Sequence, residues 1–129
     1  MKYFIVFILF SLLYGCQLNE QTNVNSFKKG NFKTILDDGK TISYATRNDS
    51  LQIETFNKKT DTFNIKWINS FEYVLVKKNP KVLLDSTPFH VKITSIKKNS
   101  YKFIAYYKGS NFKQKGKAIK LSKKENSLK

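Results

Sequence analysis

The sequence predicts an all-β domain, an antiparallel barrel or sandwich of about eight strands. From Phe27 onward, short runs rich in β-branched and aromatic residues are separated by clusters of turn-forming residues at intervals of roughly 8 to 12 residues. Several runs alternate apolar and polar residues, as a strand with one buried face does. No stretch has the period of an amphipathic helix. These three observations favour antiparallel sheet over helix.

The turn clusters define the strands. Each cluster contains Gly, Asn, Asp or Ser, which tolerate positive φ or bond to their own backbone. The clusters are Asp37-Asp38-Gly39, Asn48-Asp49-Ser50, 57–61, Asn69-Ser70, Lys98-Asn99-Ser100 and Gly109-Ser110-Asn111. The predicted strands between them are Asn31–Leu36, Lys40–Arg47, Leu51–Phe56, Thr62–Ile68, Phe71–Lys77, Phe89–Lys97, Tyr101–Lys108 and Phe112–Leu121.

Alternation within these strands predicts which side chains face the core. Phe63, Ile65 and Trp67 alternate with polar neighbours, as do Phe89, Val91 and Ile93. We therefore expect these residues to point inward. The aromatic residues either fill the core or line a ligand cavity, because an eight-stranded barrel is just wide enough for either. They are Phe63, Trp67, Phe71, Tyr73, Phe89, Tyr101, Phe103, Tyr107 and Phe112.

Two positions depart from simple hairpins. The segment 78–88 contains Pro80 and Pro88, so it is predicted to be a long connection that crosses between sheets or rims. Gly116 lies inside the last strand, where a glycine commonly marks a bulge or a barrel-corner bend.

The N-terminus has the pattern of an exported protein. After Met1-Lys2, an apolar run of 12 residues extends from Tyr3 to Tyr14, interrupted only by Ser11. A membrane-spanning helix needs about 20 residues, so a cleaved signal peptide over residues 1–15 is the better interpretation. Gly15 and Cys16, the only cysteine in the chain, follow this run directly.

The chain after the signal peptide divides into three parts. Residues 16–26 comprise Cys16 and a predicted flexible polar tether, because Gln, Asn, Thr, Glu and Ser predominate there. Residues 27–121 form the β domain, and 122–129 a polar tail. A chain of 129 residues has room for one such domain.

Composition argues against several kinds of catalytic site. The chain has one His and one Cys, too few for a Cys/His zinc site or a disulfide framework. His90 falls on the predicted solvent-facing side of its strand, and Glu54 and Glu72 are the only carboxylates within predicted strands. An enzyme would need a compact constellation of catalytic groups around His90, Glu54 or Glu72. We therefore expect no enzyme, no cofactor and no metal.

The charge is strongly positive and uneven. The formal net charge is +15, and residues 92–129 hold 12 Lys against Glu125 alone. A cationic face for an anionic surface is predicted at Lys102, Lys108, Lys113, Lys115 and Lys117. The alternative is that the lysines only reflect the composition of the chain and form a solvated surface without a partner. In favour of it, 23 of the 24 basic residues are Lys, and only Arg47 is Arg, the side chain that phosphate sites favour. Nucleic acid is not an expected partner of an exported protein.

Two sets of residues resemble known proteins. Leu13-Tyr14-Gly15-Cys16 resembles the lipobox of bacterial lipoproteins, which implies that Cys16 is lipidated and that the β domain is lipid-tethered through residues 16–26. Gln17 rather than Asp after the cysteine implies the periplasmic face of the outer membrane. The stretches 47–55, 61–67 and 110–116 resemble short uncharacterised lipoproteins of Bacteroidota, which implies a similar location and a β fold. That resemblance supplies no catalytic residue.

The expected function is therefore binding without catalysis. The first hypothesis is a cell-envelope lipoprotein that acts as a binding module for a protein, acidic or otherwise, or for an anionic envelope component. The alternative is a barrel that carries or senses a small apolar ligand. The shape of the folded domain discriminates between them: a filled core with a cationic face favours the first, and an open aromatic cavity favours the second.

Overall fold

The structure is a computed structural model that describes residues 23–126. Eight antiparallel strands form a closed barrel in sequence order. They are β1 (Gly30–Leu36), β2 (Ile42–Arg47), β3 (Leu51–Phe56), β4 (Lys59–Asn69), β5 (Glu72–Lys77), β6 (Phe89–Ile96), β7 (Ser100–Tyr107) and β8 (Lys113–Lys120). The predicted all-β antiparallel fold is confirmed, and the structure is a barrel rather than a sandwich.

Pairing of the first strand with the last closes the barrel. Phe32 of β1 lies opposite Lys120 of β8, and the register continues to Leu36 opposite Gly116. Every other pairing joins strands that are neighbours along the chain, so each connection is a hairpin. A closed barrel has no unpaired sheet edge, which removes the edge strands that a sandwich must protect.

The strand bounds follow the turn residues. Between β3 and β4, Asn57 and Lys58 both adopt positive φ, 49° and 62°, as a two-residue hairpin turn of mirror-image type requires. The turn therefore occupies two residues rather than the predicted 57–61, and β4 begins at Lys59. Register shifts occur in β4 between Trp67 and Asn69 and in β6 between Ile93 and Ser95.

The long connection 78–88 does not cross between sheets or rims, as the sequence analysis expected. It joins β5 to β6, which are adjacent and antiparallel, and it contains a short 3₁₀ helix at Leu83–Ser86. The carboxylate of Asp85 accepts hydrogen bonds from the backbone N–H groups of Lys81 and Val82, which stabilises this loop helix. The prolines prevent a tight turn here, but pairing still brings the two strands together.

Gly116 is not a bulge either, because its pairing continues without a shift on both sides. It faces the interior, where a Cβ atom would lie 2.8 Å from the Ile35 carbonyl oxygen and 2.9 Å from Cζ of Phe103. Glycine is needed here because β1 and an aromatic ring approach the backbone closely.

A second 3₁₀ helix, at Val24–Lys28, covers one end of the barrel. Its Phe27 is completely buried and packs edge-on against Tyr101, with ring centroids 5.1 Å apart. We call this the closed end, and the end formed by the turns at 37–41, 57–58, 78–88 and 108–112 the open end. This helix begins at Val24, before the predicted boundary at residue 27, so residues 24–26 of the predicted tether are helical.

The tail also begins with structure, a short helix at Lys123–Asn126 (α1). The predicted signal peptide, Cys16, most of the tether and residues 127–129 lie outside the described residues. Within residues 23–126, no helix has the length and apolar character to cross a membrane.

Candidate ligand site inside the barrel

The interior of the barrel is not completely filled. A cavity of about 300 Å³ lies between the strands, at the lower end of the range of small-molecule pockets. A second space of about 300 Å³ shares lining residues with it, including Glu54, Phe63 and Gln114, and leads to the open end. There it is bounded by Leu84 of the loop helix and by Phe112 of the turn before β8. The cavity is thus accessible from the open end.

One side of the cavity is apolar. This wall comes from β1 and from strands β4 to β7, whose inward positions carry large apolar side chains. Its residues are Leu36, Phe63, Leu75, Phe89, Val91 and Phe103. Phe63, Phe89 and Val91 are among the residues that alternation predicted to face inward, and Trp67 and Ile93 also contact the core.

The opposite side is formed by β2 and β3, which turn their small and polar residues inward. In β2, Ser43, Ala45 and Arg47 are buried, whereas Ile42 and Tyr44 are exposed. In β3 the cavity is lined by Gln52, Glu54 and Phe56. This arrangement reverses the usual pattern of apolar residues inside and polar residues outside. Small and polar inward side chains leave space that larger apolar ones would fill.

Arg47 forms the floor of the cavity at the closed end, where it is almost completely buried. Its Nε donates to Gln52 Oε1 at 2.9 Å and its Nη1 to the Phe27 carbonyl oxygen at 2.8 Å. Its Nη2 donates to the hydroxyl oxygens of Tyr73 and Tyr101, at 3.0 and 3.1 Å. The guanidinium also lies over the rings of Phe32 and Tyr73, 4.4 and 4.6 Å from their centroids.

The groups around Arg47 leave its positive charge in place. Burial acts to lower the pKa of Arg47, but the hydroxyls of Tyr101 and Tyr73 hold it above its ordinary value. Burial also raises the pKa of Tyr73 well above its ordinary value, so this phenol stays neutral. Among the described residues, no carboxylate forms an ion pair with Arg47. The floor is therefore a buried cation whose partners are neutral.

Glu54 lies further from the floor, and burial raises its pKa. Hydrogen bonds from Ser43 and Gln52 and the positive charge of Arg47 oppose that shift, and the nearby Asp61 reinforces it. Gln52 connects the two charged groups, since its Nε2 lies 3.5 Å from Glu54 Oε2 while its Oε1 accepts from Arg47.

Ion pairs tie the loop of the open end to the barrel wall. Lys77 Nζ lies 3.3 Å from Asp61 Oδ1 on β4 and 3.8 Å from Asp85 Oδ2 in the loop helix. Leu83, at 88% exposure, and Phe112, at 64%, lie beside this opening. The entrance therefore combines charged and exposed apolar side chains.

The five predicted surface lysines lie outside the barrel. Lys102 of β7 is paired with Lys117 of β8, and Lys113 and Lys115 alternate outward along the same strand. Lys108 is exposed in the turn between these strands, at the open end. The structure therefore places four of the five on one outer face and Lys108 at its edge.

The structure brings together two of the three candidate groups for catalysis. Glu54 is inside the barrel, whereas Glu72 and His90 are half-buried on its outer face. His90 Nδ1 lies 3.3 Å from Glu72 Oε1, and its ring stacks on Tyr106 at 5.4 Å. His90 thus has a carboxylate neighbour that the sequence analysis did not anticipate. No group of three or more metal-ligating side chains occurs within residues 23–126.

Sequence reasoning did not identify Arg47 as a site residue. The signals were its position at the end of an alternating strand with Ser43 and Ala45, and its being the only arginine in a chain rich in lysine. Apolar residues at the intervening positions concealed this pattern, because Ile42 and Tyr44 are the side chains that one expects inside.

No protein-family model, curated protein or solved structure matches the chain. The resemblance to bacterial lipoproteins therefore stays a prediction.

Proposed function

We propose that this domain binds a small, mostly apolar molecule inside the barrel, without catalysis, as a carrier or sensor. One observation carries the proposal: β2 and β3 turn Ser43, Ala45, Gln52 and Glu54 inward, opposite an apolar wall, and leave a cavity that opens at one end. A barrel selected only for stability would place large apolar side chains there, because empty space in a core is destabilising.

The entrance supports the same proposal. Leu84, Phe112 and Phe56 are exposed apolar residues at the open end, and each also lines the cavity or its entrance. An apolar molecule gains contacts with such side chains before it is fully enclosed. Exposed apolar residues grouped around an opening are typical of binding sites.

Binding can be tested with N-phenyl-1-naphthylamine, a neutral apolar dye whose fluorescence rises in apolar surroundings. A chain of residues 17–129 contains every strand and core residue that the structure describes. We expect saturable binding. Ser43→Leu fills the cavity from β2 and should weaken binding about tenfold or more, since 1.4 kcal/mol corresponds to a factor of ten.

Thr46→Leu is the matched control, because Thr46 lies on the same strand and faces solvent. It should bind the dye as the parent does. Absence of saturable binding by the parent, or equal binding by the folded Ser43→Leu and Thr46→Leu variants, would contradict a ligand site inside the barrel.

The outer face of β7 and β8 supports a second candidate function, attachment to an anionic envelope surface. Lys102, Lys113, Lys115 and Lys117 share that face, with Lys108 at its edge. Each lysine near an anionic lipid contributes about 1 kcal/mol, and the attraction decays over a Debye length of roughly 8 to 10 Å. We therefore expect weak binding that salt abolishes.

The test compares anionic with neutral vesicles at low and moderate salt. Changing Lys113, Lys115 and Lys117 to Gln should abolish the preference for anionic vesicles. Changing Lys40, Lys66 and Lys78, which are exposed elsewhere, to Gln alters the net charge equally and should have a smaller effect. Equal losses in the two triple variants would mean that total charge, and not this face, attracts the protein.

We also propose that acylated Cys16 anchors the chain in the outer membrane on its periplasmic side. The lipobox at Leu13–Cys16 supports this proposal. The chain enters the barrel through the 3₁₀ helix at Val24–Lys28, which covers the closed end. An anchor at Cys16 would thus attach to the domain at the end opposite the cavity entrance.

A further inference from the structure

We propose that the molecule bound in the barrel carries a carboxylate on an apolar body, and that Arg47 holds this carboxylate at the closed end. This inference rests on the proposed ligand binding and adds the chemical class of the ligand and its orientation. Three observations support it: Arg47 is a buried cation at the floor, hydrogen-bond donors of the floor are left unused, and the other charged residues line the cavity further toward the open end.

The floor exposes a buried cation to the cavity. The guanidinium of Arg47 lines the cavity together with Gln52, Tyr73 and Tyr101. A buried charge is costly unless it is paired, and the partners of Arg47 within residues 23–126 are an amide, a carbonyl and two hydroxyls, all neutral. Glu54 reaches Arg47 only through Gln52, so a carboxylate bound at the floor would place an opposite charge in direct contact with the guanidinium.

The floor also has more hydrogen-bond donors than acceptors. A guanidinium has five N–H donors, and the four hydrogen bonds to Gln52, Phe27, Tyr73 and Tyr101 leave one at Nη1. Arginine cannot accept a hydrogen bond. Bonding between the described residues therefore leaves an N–H available to an acceptor.

The two tyrosines add a second donor. Their hydroxyl oxygens lie 2.9 Å apart, so one hydroxyl donates to the other. Both already accept from Arg47, and only one of the two O–H protons is used between them. The other proton can be donated to a ligand. The floor therefore offers one N–H from Arg47 and one O–H from the tyrosine pair, and the two oxygens of a carboxylate can accept from both.

The charged side chains are distributed unevenly along the cavity. Arg47 is the charged group at the floor, whereas Glu54, Asp61 and Lys59 line the cavity further toward the open end. Asp61 forms an ion pair with Lys77, which lies at the entrance. The carboxylate group would sit at the floor and the apolar body against Leu75, Val91 and Phe103.

The experiment compares decanoate with 1-decanol, which has the same apolar chain and a neutral head, by displacement of N-phenyl-1-naphthylamine from the 17–129 chain at neutral pH. We expect decanoate to bind about ten times more tightly or better, because a charge-assisted bidentate hydrogen bond is roughly twice as strong as a neutral one. Equal affinities would refute the inference and leave the proposed function intact. Displacement by neither compound, with no dye binding, would refute the proposed function itself.

Variants locate the carboxylate. Arg47→Gln should lower the affinity for decanoate about tenfold or more and change that for 1-decanol little. Lys59→Gln removes a cation that lines the same cavity from the turn end of β4, and should leave decanoate binding nearly unchanged. If Lys59→Gln causes the larger loss, the carboxylate binds toward the open end and the inference is wrong.

Arg47 also hydrogen-bonds the Phe27 carbonyl, so Arg47→Gln carries a risk of unfolding. Tyr101→Phe then serves instead, because it removes one hydroxyl from the floor and keeps the aromatic packing against Phe27. A folded Tyr101→Phe protein should lose affinity for decanoate and keep its affinity for 1-decanol. Equal changes for both compounds would assign Arg47 and Tyr101 a structural role only.

Discussion

Burial and hydrogen bonding together set the pKa values of the charged residues inside this barrel. Arg47 keeps its charge because two tyrosine hydroxyls, an amide and a carbonyl solvate it in place of water. Glu54 has fewer such partners, and burial raises its pKa. The two side chains are close in the sequence and face the same cavity, yet their surroundings favour the charged form of one and the neutral form of the other.

The raised pKa of Glu54 makes a testable prediction. A carboxyl whose pKa is higher in the folded state binds its proton more tightly there, so its contribution to stability is lost as pH rises from about 4.3, the unfolded value, through the folded pKa. Glu54→Gln removes this loss. We expect the variant to have a higher Tm than the parent at pH 7, and the difference to shrink toward pH 4. A lower Tm at pH 7 would show that ionised Glu54 stabilises the fold.

Trp67 tests the predicted inward face of β4. It packs against the core and its ring lies 4.8 Å from that of Tyr73. Trp67→Ala should cost about 3 kcal/mol, the lower end for a large aromatic residue because Trp67 is only half-buried. Phe112→Ala is the control, since Phe112 is 64% exposed. Equal free energies of unfolding for Trp67→Ala and the parent would contradict the core position.

At the scale of elements, the barrel depends on pieces that are not strands. The 3₁₀ helix at Val24–Lys28 covers the closed end, and the Phe27 carbonyl accepts from Arg47 of β2. In the same helix, the carbonyl oxygen of Ser26 accepts a hydrogen bond from Lys120 Nζ of β8. A short segment before the first strand thus contacts both early and late parts of the chain.

Phe27→Ala measures what this helix contributes. Phe27 has no exposed surface, so truncation should cost about 3–5 kcal/mol, a large part of the stability of a domain of this size. Phe71→Ala at the same end removes a residue that is 50% exposed and should cost much less. Chemical denaturation measures both. Similar losses would mean that the helix contributes little to the fold.

Gly116 tests how closely β8 approaches its neighbours. Gly116→Ala places a Cβ atom 2.8 Å from the backbone oxygen of Ile35, which cannot move without disturbing the strand pairing. We expect a loss of roughly 1–3 kcal/mol. Lys115→Ala, on the same strand and exposed, should change stability by about 0.5 kcal/mol or less. Denaturation midpoints of the two variants that coincide would rule out the close approach.

At the scale of the whole molecule, the barrel has two different ends. The closed end holds the N-terminal helix and Arg47, and the open end holds the loop helix and the exposed apolar residues. The cavity lies between them with a cation at its floor. This polarity suits a molecule that enters with its polar group first.

Lipid anchoring is tested on the complete chain in a bacterial host. We expect the parent protein in the membrane fraction, because Cys16 follows the apolar run in a lipobox. Its mass should lack residues 1–15 and include acyl chains. Cys16→Ser should not be acylated and should leave the membrane fraction. A Cys16→Ser protein that stays membrane-bound, with a mass changed only by the substitution, would contradict the lipoprotein proposal.

Local sequence determined the strands of this protein. Turn residues and alternation predicted all eight strands, most of them to within two residues at each end, because hairpin turns and side-chain direction depend on neighbours in the chain. The same reasoning placed the surface lysines on the outer side of β7 and β8. It could not distinguish a barrel from a sandwich, since that depends on β1 meeting β8.

The cavity and its floor were decided only by the tertiary structure. Closure of the barrel determined which face of β2 and β3 points inward, and it chose the face with Ser43 and Arg47 over the more apolar one with Ile42 and Tyr44. The register with neighbouring strands determines the inward face of a whole strand at once, because a shift by one residue turns every side chain to the other side. The alternation of apolar and polar residues within one strand therefore does not decide its direction alone. Arg47, Tyr73 and Tyr101 lie far apart in the chain, and only the curvature of the closed sheet brings them together.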